Sequence, residues 1–368
     1  MTEIFNPWEV KGDINYEKLV KEFGIKPLDL KKLPKKFQDN LLFRRGKIFA
    51  HRDYERILDC IENDKPFVMM TGLMPTGKFH IGHAILAKQM IFYQELGAKI
   101  YIAVADVEAY VARRQSFEES KKKAIEEYIK NYIGLGLKPK NVEIYFQSER
   151  SSDAKKSNAF YRLQNQLSNH ITFNEFKGAY GEITPGKMNA SLLQAADMLS
   201  PELPEFEGPI PVVVPVGIDQ DPHIRLGRDM AKRIKDKKFI PLSSTYHLFV
   251  PGLNGGKMSS SDETSFIALT DDPKTIKNKV NKYAFSGGQV TVEDHRKLGG
   301  NPDIDVSYQW LTFYEEDDNK LKQIYNDYKS GKLLSGELKA ILIERLTEEI
   351  EKVQKNRDNY NPEDFLKN

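Results

Sequence analysis

Residues 67–83 read FVMMTGLMPTGKFHIGH, and this stretch indicates the fold of the chain. Its first four residues form a short apolar run that ends at Thr71 and Gly72, a pattern typical of a buried strand entering a turn. Residues 80–96 then follow a helical pattern, and Gly97 stands where a helix is expected to end. The stretch therefore predicts a strand, a glycine-containing loop and a helix in direct succession.

The segments that follow repeat this alternation of strand and helix. Residues 99–105, 142–146 and 212–216 are apolar, strand-like runs, and a helix is predicted around residues 116–133. This order favours a parallel sheet with right-handed crossovers, in which ligands bind at the carboxyl ends of the strands. We therefore predict an α/β fold built on a Rossmann-type, doubly wound parallel sheet.

The chain length and the changes of pattern predict three regions. With 368 residues, the chain is long enough for two or three domains. Residues 1–62 carry mixed charges without a sustained hydrophobic period and are expected to be an appended N-terminal segment. Residues 63–272 are expected to form the Rossmann-type domain, with an inserted helical segment at about 148–205. Residues 273–368 are predicted to be an α-helical C-terminal domain, because apolar residues recur there at helical spacing.

The composition excludes several classes of protein. Hydrophobic residues make up 40% of the chain, which is enough to bury a core. The 55 Lys and Arg residues against 53 Asp and Glu leave a net charge of +2, so any polyanion must be held by local patches. The single cysteine, Cys60, excludes a disulfide framework and a cysteine-cluster zinc site. Since the apolar runs are far shorter than a membrane span and no signal-peptide pattern is present, we expect a soluble, cytoplasmic protein.

Residues 72–78 match most of a phosphate-binding P-loop, G-x-x-x-x-G-K-[ST]. The last position of the pattern fails, because Phe79 replaces the hydroxyl residue that would ligate Mg²⁺. No later strand ends in a convincing magnesium aspartate of that system. These departures disfavour a P-loop ATPase.

Residues 80–83 read HIGH and offer a second explanation of the same loop. Gly72 and Gly77 permit a close backbone approach, and free N–H groups at the helix start attract phosphate oxygens. His80 and His83 are three residues apart and share a helical face, where they can donate hydrogen bonds to phosphates. The plain alternatives are a pair of surface histidines or two ligands of a zinc site.

Residues 255–261 read GGKMSSS and form a second motif far downstream. This segment resembles the KMSKS motif of class I aminoacyl-tRNA synthetases, with Ser260 in place of the second lysine, just as residues 80–83 resemble their HIGH motif. A glycine- and serine-rich loop that carries Lys257 suits pyrophosphate, because a flexible ammonium can follow the charge of a leaving group. The two motifs in this order indicate a class I synthetase.

Further segments extend the likeness along nearly the whole chain. They are 6–10 (NPWEV), 44–46 (RRG), 51–53 (HRD), 217–222 (GIDQDP), 284–288 (AFSGG), 294–296 (DHR) and 303–307 (DIDVS). Together they resemble the tryptophanyl-tRNA synthetase family. The resemblance implies a catalytic domain at 63–272 and an anticodon-binding domain at 273–368. It also implies ATP with Mg²⁺, tryptophan and tRNA(Trp) as substrates, a homodimer, no structural metal and no membrane partner.

The side-chain pocket must decide between tryptophan and tyrosine, because tyrosyl-tRNA synthetases have the same fold and similar motifs. One branch of the tryptophan family recognises the indole with a Tyr and a Gln. This chain has Met70 and Ala103 at those two positions. Residues 194–197 read QAAD and resemble the segment of another branch, whose aspartate accepts the indole N–H. Asp197 is therefore the expected indole acceptor, and the apolar Met70 favours tryptophan. A buried carboxylate would also reject phenylalanine, which leaves it unpaired.

The resemblance implies a reaction and a role for each site residue. The tryptophan carboxylate attacks the α-phosphorus of ATP, and the aminoacyl group then passes to the 3′-terminal ribose of tRNA. The carboxylate is already ionised, so no general base is needed. The alternatives are a tyrosine–tRNA ligase and a non-catalytic synthetase-like paralogue that binds RNA or nucleotide. The expected catalytic residues are His80, His83 and Lys257; the ATP-binding residues are Gly72, Thr76, Gly77, Gly82, Gly217, Asp219, Lys257, Met258, Ser259 and Ser261; the tryptophan-binding residues are Met70, Glu108, Gln194, Asp197 and Gln220; and no metal ligand is predicted.

Overall fold

A seven-stranded sheet forms the centre of the molecule. The computed structural model describes residues 4–6, 9–11, 16–256, 258–260 and 262–366 of the chain. In spatial order, the strands of the central sheet are Lys26–Pro27, Ile48–Arg52, Ser243–His247, Val212–Gly217, Val68–Leu73, Lys99–Val104 and Val142–Phe146.

Five neighbouring strands of the sheet run parallel, which confirms the predicted doubly wound α/β fold. From Val68–Leu73 the chain builds outward to one side through Lys99–Val104 and Val142–Phe146. It then returns to Val212–Gly217, on the other side of Val68–Leu73, and continues outward to Ser243–His247. The strand order therefore reverses at this point, and such a switch point is where doubly wound proteins bind ligands.

The two strands at the switch point separate before they end. Their parallel pairing joins Val68 to Val212 and Met69 to Val213. On its other side, Val68–Leu73 stays paired as far as Leu73. The separation leaves a crevice between residues 70–73 and 214–217.

Two strands of the central sheet come from residues 1–62, which the sequence predicted as an appended segment. Ile48–Arg52 pairs antiparallel with Ser243–His247, and Lys26–Pro27 pairs antiparallel with Ile48–Arg52. Such short strands of mixed polarity lack the continuous apolar run that marks the buried parallel strands. The N-terminal segment thus completes one edge of the sheet, and the domain boundaries themselves stay a prediction.

Each face of the sheet packs against helices in a separate hydrophobic core. Alternate strand residues face opposite sides, so Met69 and Ile144 belong to one core, whereas Met70 and Tyr145 belong to the other. The first core includes the helix predicted for residues 80–96, and the second includes the inserted helices. The helices before residue 273 are Tyr16–Phe23, Lys35–Asp39, Leu41–Arg44, Glu55–Glu62, Ile81–Glu95, Asp106–Arg113, Phe117–Lys123, Lys130–Leu135, Ala154–Ser168, Phe173–Tyr180, Pro185–Leu199 and Asp221–Arg233, with a π-helical turn at Ala124–Ile129.

The chain beyond residue 272 is helical, as the apolar spacing predicted. The indole N–H of Trp310 donates a hydrogen bond of 2.7 Å to the carbonyl oxygen of Pro251. The hydroxyl of Tyr314 donates one of 3.1 Å to the carbonyl oxygen of Ile81. These bonds hold the C-terminal helices against the loop region of the sheet. The helices are Pro273–Tyr283, Val292–Leu298, Val306–Tyr314, Asp318–Lys329 and Ser335–Asn356. No helix in the described part of the chain combines the length and the apolarity needed to cross a membrane.

A Gly134→Ala variant is expected to be less stable, because Gly134 lets two helices cross closely. An added Cβ would lie 2.5 Å from the carbonyl oxygen of Val353, in the helix Ser335–Asn356. Relieving such overpacking costs about 1–3 kcal/mol of unfolding free energy, and urea denaturation should show a lower midpoint. Gly178→Ala is the matched control: an added Cβ there has nothing within 4 Å, so the midpoint should stay or rise. Equal midpoints for the two variants would contradict the close crossing.

Candidate active site

A cavity of about 460 Å³ lies in the crevice at the switch point. Its walls come from the carboxyl ends of the central strands, the start of the helix Ile81–Glu95, and the helix Pro185–Leu199. The structure brings together in this cavity most of the residues that the sequence predicted for the site, namely Met70, Gly72, His80, Gly82, His83, Glu108, Gln194, Asp197, Gly217, Asp219, Gln220 and Met258.

A smaller cavity of about 210 Å³ adjoins the first and shares Gly72 and His83 with it. The predicted residue Thr76 lines this smaller cavity rather than the main one. Gly77 lies next to Thr76 with a φ of +77°, and a Cβ at this position would lie 3.0 Å from the Cβ of Ser260. A glycine is therefore needed where the first loop meets the second motif.

The second motif packs directly against the helix start. The sulfur of Met258 lies 3.0 Å from the position of a Cβ added at Gly82, so a side chain there would force neighbouring atoms to move. The backbone N–H of Ser259 donates a hydrogen bond of 3.1 Å to the hydroxyl of Ser265. Lys257 and Ser261, which the sequence predicted for catalysis and ATP binding, lie outside the described residues, so their roles stay predictions.

The two histidines of the first motif cap the helix Ile81–Glu95. His80 is its N-cap residue, and the Nδ1 atom of His80 accepts a hydrogen bond of 3.2 Å from the backbone N–H of Gly82. The Nδ1 atom of His83 accepts one of 3.2 Å from the backbone N–H of His80. Because each Nδ1 atom is an acceptor, each neutral imidazole carries its proton on Nε2. The Nε2 atom of His80 lies 3.3 Å from the hydroxyl oxygen of Ser260.

Both imidazoles are neutral near pH 7. Burial and the neighbouring His83 lower the pKa of His80 to about 2, and burial lowers the pKa of His83 to about 4. His80 is 6% exposed, so it is not an ordinary surface histidine. In the described ranges, no group of three His, Cys, Asp or Glu side chains is placed to hold a metal ion. The pair can therefore supply two neutral N–H donors at the start of a helix, where phosphate oxygens bind.

A buried carboxylate, Asp197, forms another part of the cavity wall. Its Oδ1 atom accepts a hydrogen bond of 2.7 Å from the hydroxyl of Tyr145, and its Oδ2 atom accepts one of 2.6 Å from the amide nitrogen of Gln147. Burial raises the pKa of Asp197 to about 6, although these two hydrogen bonds and the Arg150 guanidinium act to lower it. The carboxylate is therefore ionised at pH 7 and keeps a free lone pair on each oxygen.

Tyr145 and Gln147 were missed by the sequence reasoning. A signal was available, because Tyr145 pairs with Ala103 in the parallel register and so shares its face of the sheet. Gln147 directly follows the strand Val142–Phe146, at the carboxyl edge where ligands bind. Their contact with Asp197 joins residues that are 52 and 50 positions apart, which no local pattern indicates.

Glu108 is a second acidic residue in the cavity. It lies in the first turn of the helix Asp106–Arg113. Burial and the negative charge of Asp197 raise the pKa of Glu108 to about 7. The amides of Gln194 and Gln220 line the same cavity. A carboxylate with two amide oxygens is a suitable environment for an ammonium group.

Gly217 allows a close approach at the end of its strand. A Cβ added there would lie 2.7 Å from the ring of Phe249 and 2.8 Å from the Oδ1 atom of Asp219. Asp219 and Phe249 both line the cavity, so a carboxylate and an aromatic ring face its interior from this wall. A carboxylate that accepts hydroxyl protons beside an aromatic ring suits a ribose and its base.

Comparisons of the sequence and of the structure with known proteins agree with one another. The family model for class I tRNA synthetases (W and Y) matches residues 62–351. The tryptophan–tRNA ligase of Methanocaldococcus jannaschii is 44% identical over 363 residues, which cover 96% of this chain and 94% of the relative. The cytoplasmic tryptophan–tRNA ligase of Schizosaccharomyces pombe is 39% identical, over 94% of this chain and 91% of the relative. The crystal structure of tryptophanyl-tRNA synthetase from the hyperthermophilic archaeon Aeropyrum pernix K1 is similar with a TM-score of 0.87 and 41% identity, over 94% of each chain.

Proposed function

Because the chain belongs to the family of class I tRNA synthetases for tryptophan and tyrosine, we propose that it is a tryptophan–tRNA ligase. It uses ATP to form tryptophanyl-adenylate and then transfers the tryptophanyl group to tRNA(Trp). The observation that carries the choice of tryptophan is that the buried Asp197 and the apolar Met70 line the same cavity. A cavity with an ionised acceptor and an apolar thioether suits an indole ring and its N–H. The near full-length likeness to tryptophan–tRNA ligases does not favour the tyrosine alternative.

The first step joins tryptophan to the α-phosphorus of ATP. An oxygen of the tryptophan carboxylate forms a bond to this phosphorus, the bond from phosphorus to the bridging oxygen of the β-phosphate breaks, and pyrophosphate leaves. The Nε2–H donors of His80 and His83 stabilise the charge that shifts between phosphate oxygens. Lys257 is proposed to bind the departing pyrophosphate. No proton has to be removed from the nucleophile, so the reaction depends on positioning and charge stabilisation.

ATP binding is proposed to follow the walls of the cavity. The phosphates bind the loop before the helix Ile81–Glu95, and Gly217 and Asp219 face the ribose. Mg²⁺ would be held mainly by phosphate oxygens and water, as is usual for this ion at nucleotide sites. When bound, Mg²⁺ neutralises phosphate charge. The remaining proposed ATP-binding residues are Gly72, Thr76, Gly77, Gly82, Met258, Ser259 and Ser261.

Tryptophan binding is proposed to use the acidic part of the same cavity. Glu108, Gln194 and Gln220 bind the substrate ammonium through a carboxylate and two amide oxygens. Asp197 accepts the indole N–H, and Met70 forms an apolar wall beside the ring. The two carboxylates therefore recognise the two nitrogen atoms of tryptophan.

The partners are proposed from the family and the relatives. Residues 63–272 form the catalytic domain, residues 273–368 bind the anticodon, and residues 1–62 are an N-terminal segment that adds strands to the sheet. The enzyme acts as a homodimer on tRNA(Trp). It works in the cytoplasm, as the yeast relatives that are named cytoplasmic do.

Pyrophosphate exchange with tryptophan and with tyrosine tests this proposal. We expect ATP-dependent exchange with tryptophan and very little with tyrosine. Exchange with tyrosine alone would establish the rival enzyme. The absence of exchange with either amino acid, in protein that binds ATP, would favour a non-catalytic paralogue.

The KM for tryptophan is expected to rise as the pH falls from about 7.5 to 5.5. The raised pKa values of Glu108, about 7, and Asp197, about 6, mean that both carboxylates lose their charge over this range. The uncharged acids no longer attract the ammonium or accept the indole N–H as strongly. Steady-state exchange at several pH values measures the effect, with the KM for ATP as the internal control. A KM for tryptophan that stays constant from pH 5.5 to 8 would contradict the two assignments.

A further inference from the structure

Two side chains of the protein donate hydrogen bonds to Asp197. The hydroxyl of Tyr145 and the amide nitrogen of Gln147 each donate to a different oxygen of this carboxylate, at 2.7 and 2.6 Å. All three side chains are buried, with 0% of Tyr145 and 1% of each of the other two exposed. The amide oxygen of Gln147 is also buried and has no hydrogen-bond partner. This part of the wall therefore has unused acceptors. The Tyr145 hydroxyl has donated its only proton to Asp197, whereas the Gln147 amide uses one of its two N–H groups there.

Tyr145 is held in place by a buried guanidinium and an aromatic ring. The guanidinium carbon of Arg150 lies 3.8 Å from the ring centroid of Tyr145, and Phe206 packs against the same guanidinium at 4.5 Å. Arg150 is fully buried and forms an ion pair of 2.6 Å with Glu143. Phe160 contacts the Tyr145 ring edge-to-face, with the centroids 6.2 Å apart. The phenol therefore cannot swing away from Asp197 without breaking a packed cluster.

We propose that Tyr145 is a positioning residue that determines amino-acid specificity, because its hydroxyl holds Asp197 as an ionised acceptor for the indole N–H and keeps no proton for the oxygen of a substrate phenol. The inference rests on the proposed function, since it explains how the same cavity distinguishes tryptophan from tyrosine. An indole N–H is only a donor, so it needs one acceptor and nothing else. The free lone pairs of Asp197 meet that need.

A tyrosine substrate fits this wall less well. Its hydroxyl is both a donor and an acceptor, so the phenol oxygen needs a donor from the protein. The lining residues Met70 and Ala103 carry a thioether and a methyl group, which donate no hydrogen bond. The Tyr145 hydroxyl has already donated its only proton to Asp197, and the Gln147 amide nitrogen is directed at the same carboxylate with one of its two N–H groups. A buried phenol oxygen left unpaired weakens binding by about tenfold or more.

Tyr145 also helps to keep Asp197 charged. The carboxylate is surrounded by the Arg150 guanidinium, which lowers its pKa, and by the acidic Asp106 and Glu108, whose charges oppose its ionisation. The hydrogen bond from Tyr145 favours the ionised form. Loss of this bond should raise the pKa of Asp197, so the ionised acceptor would be lost at a higher pH during acidification.

A Tyr145→Phe variant of the full chain tests the inference through pyrophosphate exchange with tryptophan and tyrosine between pH 5.5 and 9. We expect kcat/KM for tryptophan relative to that for tyrosine to fall at least about tenfold, because the hydrogen bond to a charged group is lost and a place opens for the substrate phenol. The acid limb of the pH profile, in which kcat/KM for tryptophan falls as the pH is lowered, should move to higher pH. A merely structural role would change neither the selectivity ratio nor the position of the acid limb.

Tyr93→Phe is the matched control. Tyr93 is also fully buried, and it loses a hydrogen bond of 2.9 Å with Tyr54 on the other face of the sheet. The selectivity ratio and the acid limb should stay at their wild-type values in this variant. If Tyr145→Phe gave the same ratio and acid limb as Tyr93→Phe, the inference would be overturned.

Two measurements on the wild-type chain keep the test decisive. If Tyr145→Phe does not fold, exchange with tyrosine and 4-aminophenylalanine decides: a kcat/KM for the amino compound within about threefold of that for tyrosine supports the inference, because both para groups can donate to Asp197 and the amino group is the weaker acceptor. A preference for tyrosine over 4-aminophenylalanine of more than about tenfold overturns it, since such a preference requires a protein donor for the phenol oxygen. Tryptophan exchange by the wild type tests the proposed function separately, because its absence would refute the ligase assignment whatever the variant does.

Discussion

Replacing Asp197 by alanine is expected to raise the KM for tryptophan by roughly 10²–10³-fold while the KM for ATP changes little. The variant loses a hydrogen bond to a charged acceptor, and it leaves the indole N–H desolvated without an equivalent partner. The two effects together correspond to about 3–4 kcal/mol of substrate binding. The ATP-binding residues belong to other elements of the cavity, so they should keep their positions. Pyrophosphate exchange with one substrate varied at a time measures both constants.

The isosteric variant Asp197→Asn separates charge from volume. Its amide has a single acceptor oxygen, whereas Tyr145 and Gln147 both donate to position 197 in the native chain. One of these donors would face the amide nitrogen, so the variant should lose most of the tryptophan affinity without creating a cavity. The unfolding temperature and the KM for ATP are the controls for intact folding. An unaltered KM for tryptophan in either variant would show that Asp197 does not bind the indole.

The parallel core of the sheet was predictable because it is buried on both faces. Residues 99–105, 142–146 and 212–216 are continuous apolar runs, and such runs separated by helical patterns indicate parallel strands. The strand Ile48–Arg52 was not predictable in this way. Its side chains alternate between buried and partly exposed, and it joins the sheet through Ser243–His247, almost 200 residues away. Its position depends on tertiary pairing that no local pattern contains.

The same distinction between local pattern and tertiary contact applies to the residues of the site. His80 and Gly82 belong to a contiguous motif whose position after a strand has a direct physical meaning, so the sequence was sufficient to predict where they lie. The role of Tyr145 depends on its contact with a residue of the helix Pro185–Leu199. In the sequence alone, Tyr145 is one apolar residue of a strand. Only the sheet register and the packing of the inserted helices place its hydroxyl on a carboxylate.

Replacing His80 by asparagine is expected to slow adenylate formation by about 10²–10³-fold, the usual cost of removing one preorganised donor from a charge-stabilising site. Asparagine is among the best N-cap residues, so the helix Ile81–Glu95 should keep its start while the Nε2–H donor is lost. His80→Ala removes both the cap and the donor, and should cost about 1 kcal/mol of stability in addition. Single-turnover formation of tryptophanyl-adenylate measures the rate, and thermal unfolding measures the stability that the N-cap contributes.

The pH dependence distinguishes a neutral donor from a cationic one. Burial lowers the pKa values of His80 and His83 to about 2 and about 4, so neither ring changes its charge between pH 6 and 8. The single-turnover rate at saturating tryptophan and ATP should therefore show no histidine titration step in this range, even where the KM for tryptophan rises through Glu108 and Asp197. A rate that fell with a midpoint near 6.5 would mean that an imidazolium is required, and a His80→Asn rate within threefold of wild type would mean that the stabilising donor lies elsewhere. Because the backbone N–H groups of Gly82 and His80 both bind Nδ1 atoms, the geometry favours Nε2–H donors that work without protonation.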